Sequence, residues 1–153
     1  AGLYYHFGVR KIILPKKVSG IYRHRVNNRK VQLVRGFDDV FLAPHSRNTE
    51  SSPEDIRTHE ELVVLAESDE VGDLIVMTKD GKHLEYDRLT LDTEYKRDMA
   101  KGLNPEKPYN YYPDDNPDNR PLLTWRATSD CLYSNWLNYY VYQTTPYDLT
   151  KIR

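Results

Sequence analysis

The spacing of apolar residues predicts four strands in the first half of the chain. Residues 11–14 and 20–26 have the composition of short strands, and in 20–26 polar and apolar positions alternate, so its two faces differ in polarity. Residues 62–66 and 74–78 are continuous apolar runs of five. Runs of that length are typical of strands covered on both faces in a mixed α/β sheet.

Four segments have helical signals. Residues 1–8 carry an apolar stripe and close on Gly8, although nothing precedes them to cap the first turn, as if the start of the helix had been cut away. Pro53 marks the first turn of a helix within 51–61. Asp87 or Thr90 can cap a third helix, which runs to about Lys101 and stops at Gly102. Its predicted buried positions are Leu91, Tyr95 and Met99.

The fourth helical segment, 125–143, is apolar nearly all round and ends before Pro146. Eight of the 13 tyrosines and both tryptophans follow residue 108. This concentration predicts a buried helix and a core or dimer seam rather than stacking on nucleic acid.

The connecting segments differ in composition. Residues 44–50 form a predicted polar loop after a buried strand, which is a common place for ligand contacts. Residues 79–82 predict a hairpin turn, yet no returning strand follows before His83. Residues 104–121 hold five of the nine prolines and predict an ordered connection without helices.

Length and composition indicate a single soluble domain. The 153 residues are 39% hydrophobic and 29% charged, and no apolar run approaches a membrane span or a signal peptide. A cytoplasmic location is therefore expected. The single cysteine, Cys131, excludes an internal disulfide framework and a cysteine-rich zinc site.

The net charge of −1 hides an uneven distribution. Residues 1–35 hold nine of the 22 Lys and Arg and no Asp or Glu, which leaves 13 basic against 23 acidic residues in the remainder. A basic face for the phosphates of a nucleotide or of coenzyme A explains this distribution. An equally good explanation is that charges segregated in sequence mix in space.

His83 and Glu85, directly before the third helix, are the first candidate for chemistry. A carboxylate on one ring nitrogen fixes the histidine tautomer and raises its basicity, so the pair can act as a base and its orienter. A His-x-Glu pair alone is more often a solvated surface pair. Metal binding by His83, Glu85 and His45 has no ligand spacing to support it, so no metal and no cofactor are expected.

Matches along the whole chain give a more specific signal. The chain resembles the C-terminal half of the homoserine O-acyltransferases, the succinyl- and acetyl-transferring enzymes of methionine biosynthesis. The resemblance rests on the segments 1–4, 36–39, 45–50, 65–68, 85–86, 94–98, 101–103, 110–114, 125–126, 134–143 and 145–147. It implies that residues 1–153 are the C-terminal part of one catalytic domain.

The resemblance also implies a fold and a nucleophile. The expected fold is flavodoxin-like, with the mixed α/β sheet of the class I glutamine amidotransferases. The family carries its nucleophilic cysteine on a strand-to-helix elbow that would precede Ala1, and Cys131 does not replace it. Cys131 falls in the final aromatic helix, where a small buried hydrophobic residue is expected.

Roles for five residues follow from the resemblance. His83 matches the catalytic base, Glu85 its orienting acid, and Lys17, Ser46 and Arg97 the substrate-contacting positions. Without the resemblance, Arg97 is explained as a helical partner of Glu94, Lys17 as a surface lysine and Ser46 as a turn former. The implied partners are L-homoserine and succinyl- or acetyl-coenzyme A as co-substrate, with a homodimer and no nucleic acid or membrane.

One departure stands against this function. The family has about six further residues, an apolar strand, between the turn at Gly81 and Lys82 and the base His83. Without them the chain by itself should be inactive. The alternatives are a non-catalytic remnant or oligomerisation module of the same fold and, less consistent with the C-terminal matches, a glutamine amidotransferase relative.

Overall fold

The structure is a computed structural model that describes residues 2–78 and 89–143. Its centre is a four-stranded sheet in the order β2-β1-β3-β4, formed by β1 (Lys11–Val26), β2 (Val40–Ser51), β3 (Leu62–Ser68) and β4 (Gly72–Thr78). All three strand pairings are antiparallel. The described part is thus a mixed α/β fold.

Within the described residues the sheet is accompanied by four α-helices: α1 (Gly2–Phe7), α2 (Pro53–Thr58), α3 (Thr90–Ala100) and α4 (Arg126–Trp136). A π turn, Leu137–Val141, continues α4, and short 3-10 turns occur at Gln32–Val34 and Pro113–Asp115. Pro53 lies in the first turn of α2, and the Ser52 hydroxyl caps that turn by accepting from the Asp55 amide at 3.2 Å. The four predicted helices are therefore confirmed, but Thr90 is the first residue of α3 and not its cap, and Asp87 lies outside the described residues.

The predicted strands are confirmed, but the boundary between two of them and the predicted loop 44–50 were wrong. The predicted strands 11–14 and 20–26 belong to one strand, β1, whose pairing with β2 is irregular between Ile13 and Val18. The predicted polar loop 44–50 is the second half of β2, because its backbone pairs with β1 up to Ser51. This strand was not predicted because its side chains are mostly polar. Strand pairing satisfies the hydrogen bonds of the backbone whatever side chains the residues carry.

The sheet has buried residues on both faces of the β1–β2 pair. One core cluster includes Phe41, Ala43 and Leu132, and a second joins Ile21 to Leu91 and Trp125. Leu42 packs against the second cluster, as expected for a residue between Phe41 and Ala43 on a pleated strand. Helix α3 is thereby fixed on one face of β1 and β2, and α4 on the other.

Some burial predictions were wrong. On α3, Leu91 is buried and Tyr95 packs against the same cluster, but Met99 is 46% exposed. Val63 of β3 is also exposed, so that strand is not covered on both faces. In the last helical segment Leu132 is buried, whereas Tyr133 and Tyr142 face outward. An apolar sequence pattern shows which residues can be buried, but the neighbouring elements decide which of them are.

The connection before α4 is tied to β1 at Gly20. Tyr109 pairs with Gly20 in a parallel bridge, with the Ile21 amide donating to the Tyr109 carbonyl at 2.8 Å. Gly20 has φ +143°, and a Cβ at this position would stand 2.5 Å from the Tyr109 amide nitrogen. Only glycine accommodates both this backbone conformation and this close approach.

Candidate functional site

Two of the predicted substrate contacts, Lys17 and Ser46, meet at one carboxylate of α3. The Lys17 ammonium lies 3.2 Å from Glu94 Oε2, and the Ser46 hydroxyl donates to the same oxygen. Lys17 is 3.8 Å from Asp98 as well. The structure thus brings together residues of β1, β2 and α3 that are up to 77 positions apart.

The third predicted contact, Arg97, lies on the same helix. Its guanidinium pairs with Asp98 at 2.8 Å and its side chain is about half exposed. The hydrogen bond from Arg97 lowers the pKa of Asp98, and the charges of Lys17 and Lys101 act in the same direction. Arg97 is therefore not the helical partner of Glu94, which is occupied by Lys17 and Ser46.

These five residues, Lys17, Ser46, Glu94, Arg97 and Asp98, are called the α3 cluster below. Lys17 and Glu94 are each about 30% exposed, so the cluster is shielded from water without being sealed. Two cations and two carboxylates in one place complement a zwitterion. This arrangement suits a small amino acid better than a polyanion.

The individual interpretations of Lys17 and Ser46 from the sequence alone do not fit. Lys17 is half-buried rather than a free surface lysine, and Ser46 lies within β2 rather than in a turn. Glu94 and Asp98 had no predicted role. Their signal was available in the helical spacing, because Arg97 and Asp98 follow Glu94 by three and four positions and so lie on the same side of α3.

A buried histidine pair on the same two strands, β1 and β2, was also missed. The rings of His24 and His45 are stacked with centroids 5.0 Å apart, and their Nε2 atoms are 2.9 Å apart. Burial lowers the pKa of His24 to about 4 and that of His45 to about 3, and the charge of Arg47 adds to both effects. No spacing rule connects residues on different strands, so this pair has no signal in the sequence.

A cavity of about 700 Å³ opens next to the same strands. Its wall includes His45, Ser46 and Arg47 of β2, Asp73 and Ile75 of β4, and Trp125 before α4. Ser46 thus belongs both to the wall of this cavity and to the α3 cluster. A ligand in the cavity could reach Ser46 from one side.

Cys131 has a structural contact. Its Sγ is 3.2 Å from the Arg35 carbonyl oxygen, to which the thiol donates, and it is only half-buried. Asn135, one turn along α4, donates to the same carbonyl at 2.7 Å. The side chain therefore ties α4 to the turn after Val34, as a small residue in a helix contact does.

The predicted base His83 and its acid Glu85 lie outside the described residues. Within residues 2–78 and 89–143, no helix is long and apolar enough to cross a membrane.

One protein-family model matches nearly the whole chain. The model described as homoserine O-succinyltransferase matches residues 1–147. The chain belongs to the homoserine O-succinyltransferase family. The resemblance seen in the sequence is thereby confirmed.

Curated relatives in this family carry the name homoserine O-acetyltransferase. The protein from Lachnospira eligens is 60% identical over 157 residues, which cover 99% of this chain and 51% of that protein. That from Agathobacter rectalis is 58% identical over 159 residues, and that from Acetivibrio thermocellus 48% over 159, with all of this chain covered in both. The chain spans about half the length of these relatives.

The relatives contain residues that have no counterpart in this chain. Two of them extend over 159 positions and cover all 153 residues of this chain. The difference, 159 minus 153, means that each relative has at least six residues without a counterpart here. This number agrees with the segment that the sequence predicts to be missing before His83.

Proposed function

We propose that this chain supplies the substrate-positioning and base-bearing part of a homoserine O-acyltransferase. The complete protein would transfer an acetyl or succinyl group from acyl-coenzyme A to the hydroxyl of L-homoserine, a step of methionine biosynthesis. The observation that carries the proposal is the α3 cluster, in which the three predicted substrate contacts converge on Glu94 and Asp98. The finer fold, flavodoxin-like with the nucleophile on a segment that precedes Ala1, belongs to this proposal.

Homoserine matches the charges of the cluster. Its α-carboxylate suits the guanidinium of Arg97, which can bind a carboxylate through two parallel hydrogen bonds. Its α-ammonium suits Glu94 or Asp98. In this proposal the substrate exchanges with the ion pairs that these side chains make with one another, so the site is kept charged and ordered before binding.

The proposed reaction has two steps. A cysteine thiolate attacks the thioester carbonyl, the carbon–sulfur bond to coenzyme A breaks, and the coenzyme A thiolate leaves. The homoserine hydroxyl then attacks the acyl-cysteine while His83 takes its proton, and the cysteine leaves as thiolate. Glu85 holds the His83 ring through its other nitrogen. The relatives' names make acetyl-coenzyme A the first donor to test.

The test measures free coenzyme A thiol released from acetyl- or succinyl-coenzyme A with L-homoserine, in the complete protein that contains this chain. The His83→Ala variant should lose about 10²–10⁴-fold in kcat, the usual contribution of a general base. The matched control is His59→Ala, which removes a histidine that lies beside Phe7 at the end of α2. This variant should keep full activity.

The residues without counterpart in this chain favour one competing function. A protein that lacks a strand before its base would keep the fold and lose the reaction, as a remnant or oligomerisation module would. Equal thiol release by the parent protein and by His83→Ala, or none by either, would reject the proposed function in favour of this one. The expected homodimer and cytoplasmic location stay predictions.

A further inference from the structure

The His24–His45 pair is among the most enclosed polar features of the described residues. His24 is 1% exposed and His45 5%, and the two rings are nearly parallel, with an interplanar angle of 10°. Phe41 stacks on His24 at 5.7 Å, and Tyr22 meets His45 edge-on at 5.7 Å. Buried polar groups with good partners hold a unique arrangement, and without partners they are costly.

The contacts fix the protonation of both rings. His24 Nδ1 lies 3.0 Å from the Tyr22 carbonyl oxygen, an acceptor, so this nitrogen carries the proton and donates. The Nε2 of neutral His24 is then an acceptor, and the Nε2 of His45, 2.9 Å away, donates to it. Protonating His24 would point two N–H groups at each other. With the His45 proton on Nε2, the hydrogen bond between the rings requires a neutral His24.

The groups around the two histidines do not stabilise a positive charge on either ring. Arg47, on β2, opposes a positive charge on either ring. The other ionisable groups that line the cavity beside His45 are His6, Lys11, Glu50 and Asp73. Glu50 is paired with Arg47 at 3.5 Å and Asp73 with Arg57 at 2.9 Å. Neither carboxylate forms an ion pair with the histidines.

The pair joins the two strands that carry Lys17 and Ser46. His24 and Lys17 belong to β1, and His45 directly precedes Ser46 on β2. The strands are in register from Val18 and Arg47 to Arg25 and Val40, and Gly20 lies opposite His45. Regular pairing breaks next to Lys17, so the paired segment 18–25, to which both histidines contribute contacts, is the ordered part of β1 that leads to the α3 cluster.

We propose that His24 and His45 are positioning residues that clamp β1 to β2 and so hold Lys17 and Ser46 at Glu94, and that the clamp exists only while His24 is neutral. This inference rests on the function proposed above for the α3 cluster. The histidines touch neither the proposed substrate nor the reacting atoms. They act through the backbone of the two strands.

The experiment compares substitutions of His45 in the complete protein at pH 7.5. His45→Ala removes the donor, and KM for homoserine should rise about tenfold, as expected when a buried acceptor loses its partner. His45→Gln places an amide N–H near the Nε2 position without a titrating group, and should restore KM to within about threefold of the parent value. Release of coenzyme A in the first half-reaction should be unchanged in both.

The control is Leu62→Ala, which opens a cavity in a different core cluster and destabilises the fold without touching the pair. If His45→Ala and Leu62→Ala change KM equally at equal loss of thermal stability, the positioning role is rejected. NMR titration of the imidazole Cε1 protons tests the clamp without any assay. Both rings should stay neutral down to about pH 5, and a transition near the ordinary histidine pKa would overturn the proposal.

The outcomes separate the two proposals. A parent protein that does not acylate homoserine rejects the proposed function and the positioning role with it, whereas the titration still decides whether the neutral pair exists. If His45→Ala does not fold, His24→Gln carries the kinetic test, because the amide oxygen can accept from His45 Nε2 without titrating: a KM near the parent value together with a flatter dependence of KM on acidic pH supports the clamp. An acid dependence identical to that of the parent rejects it.

Discussion

At the scale of single residues, the α3 cluster is organised by one shared acceptor. Glu94 Oε2 takes hydrogen bonds from both Lys17 and Ser46, so each of these side chains is held by the same atom. Arg97 is held separately, by Asp98. A guanidinium that is about half exposed and paired with a neighbouring carboxylate can exchange that partner for a substrate carboxylate at little cost, because exposed ion pairs are weak.

Replacement of Arg97 by Met should therefore impair homoserine binding. In the complete protein Arg97→Met should raise KM for homoserine about tenfold or more, because a charge-assisted hydrogen bond to the substrate is lost. Formation of the acyl-enzyme from acyl-coenzyme A should be unaffected. Steady-state thiol release, with a pre-steady-state burst, measures both quantities.

The neighbouring residue provides the control. Lys96 is exposed and pairs with Asp92 at 3.0 Å, so Lys96→Met removes one positive charge from the same helix outside the cluster. KM should stay within about twofold of the parent value in this variant, as for most surface substitutions. An equal rise in both variants would mean that overall charge, and not Arg97, governs homoserine binding.

At the scale of elements, packing around α3 decides where the cluster forms. Leu91 anchors the helix in the cluster with Ile21, and Tyr112 donates to Asp92 at 2.7 Å. Burial and the hydrogen bond to Asp92 both raise the pKa of Tyr112, so the phenol stays protonated and the bond persists in alkali. The proline-rich connection, predicted as an ordered surface segment, thereby joins α3 to the sheet.

The contact of that connection with Gly20 gives a stability prediction. Gly20→Ala should lower the free energy of unfolding by about 3 kcal/mol or more, because a Cβ would overlap the Tyr109 backbone at a strained φ. Chemical denaturation followed by circular dichroism measures it.

Gly102→Ala is the matched control for the backbone term. Gly102 also has a positive φ, +70°, but nothing lies within 4 Å of a Cβ there. Its cost should be limited to about 1 kcal/mol. If both variants lose the same stability, the close approach of Tyr109 to β1 is not tight in solution.

At the scale of the whole molecule, basic residues of the segment 1–35 form ion pairs with acidic residues from later in the chain. Lys17 pairs with Glu94, Arg10 with Asp55, and Arg25 with Glu67 and Asp69. Lys16 pairs with Glu106 and Arg29 with Asp39. The basic N-terminal segment is therefore largely neutralised by later acidic residues. Of the two explanations open from the sequence, spatial mixing is the one that these contacts support.

The buried histidines predict how stability depends on pH. Their folded-state pKa values, about 4 and about 3, lie below the unfolded value of 6.5. The unfolded chain therefore binds protons first as the pH falls, and the folded state loses stability from about pH 6.5 down to about pH 4. The loss should amount to about 3 kcal/mol or more, at roughly 1.4 kcal/mol per unit of pKa difference.

Urea unfolding of the complete protein between pH 8 and pH 4 measures this dependence. The double variant His24→Gln, His45→Gln lacks both titrating groups and should show a shallower slope below about pH 6.5. Parallel slopes for the parent and the double variant would show that other groups cause acid unfolding.

The sequence by itself determined the family, the four helices and the two apolar strands, and the resemblance singled out three residues that lie in the α3 cluster. Periodicity, the residues that begin and end helices, and the order of motifs are properties of the linear sequence, so they can be recognised without a structure. Only the tertiary structure decided that 11–14 and 20–26 are one strand, that 44–50 continues β2, and that Lys17 and Ser46 share Glu94. Those features depend on strand register and on the position of α3 against the sheet, and residues far apart in the chain carry no local pattern that reveals such contacts.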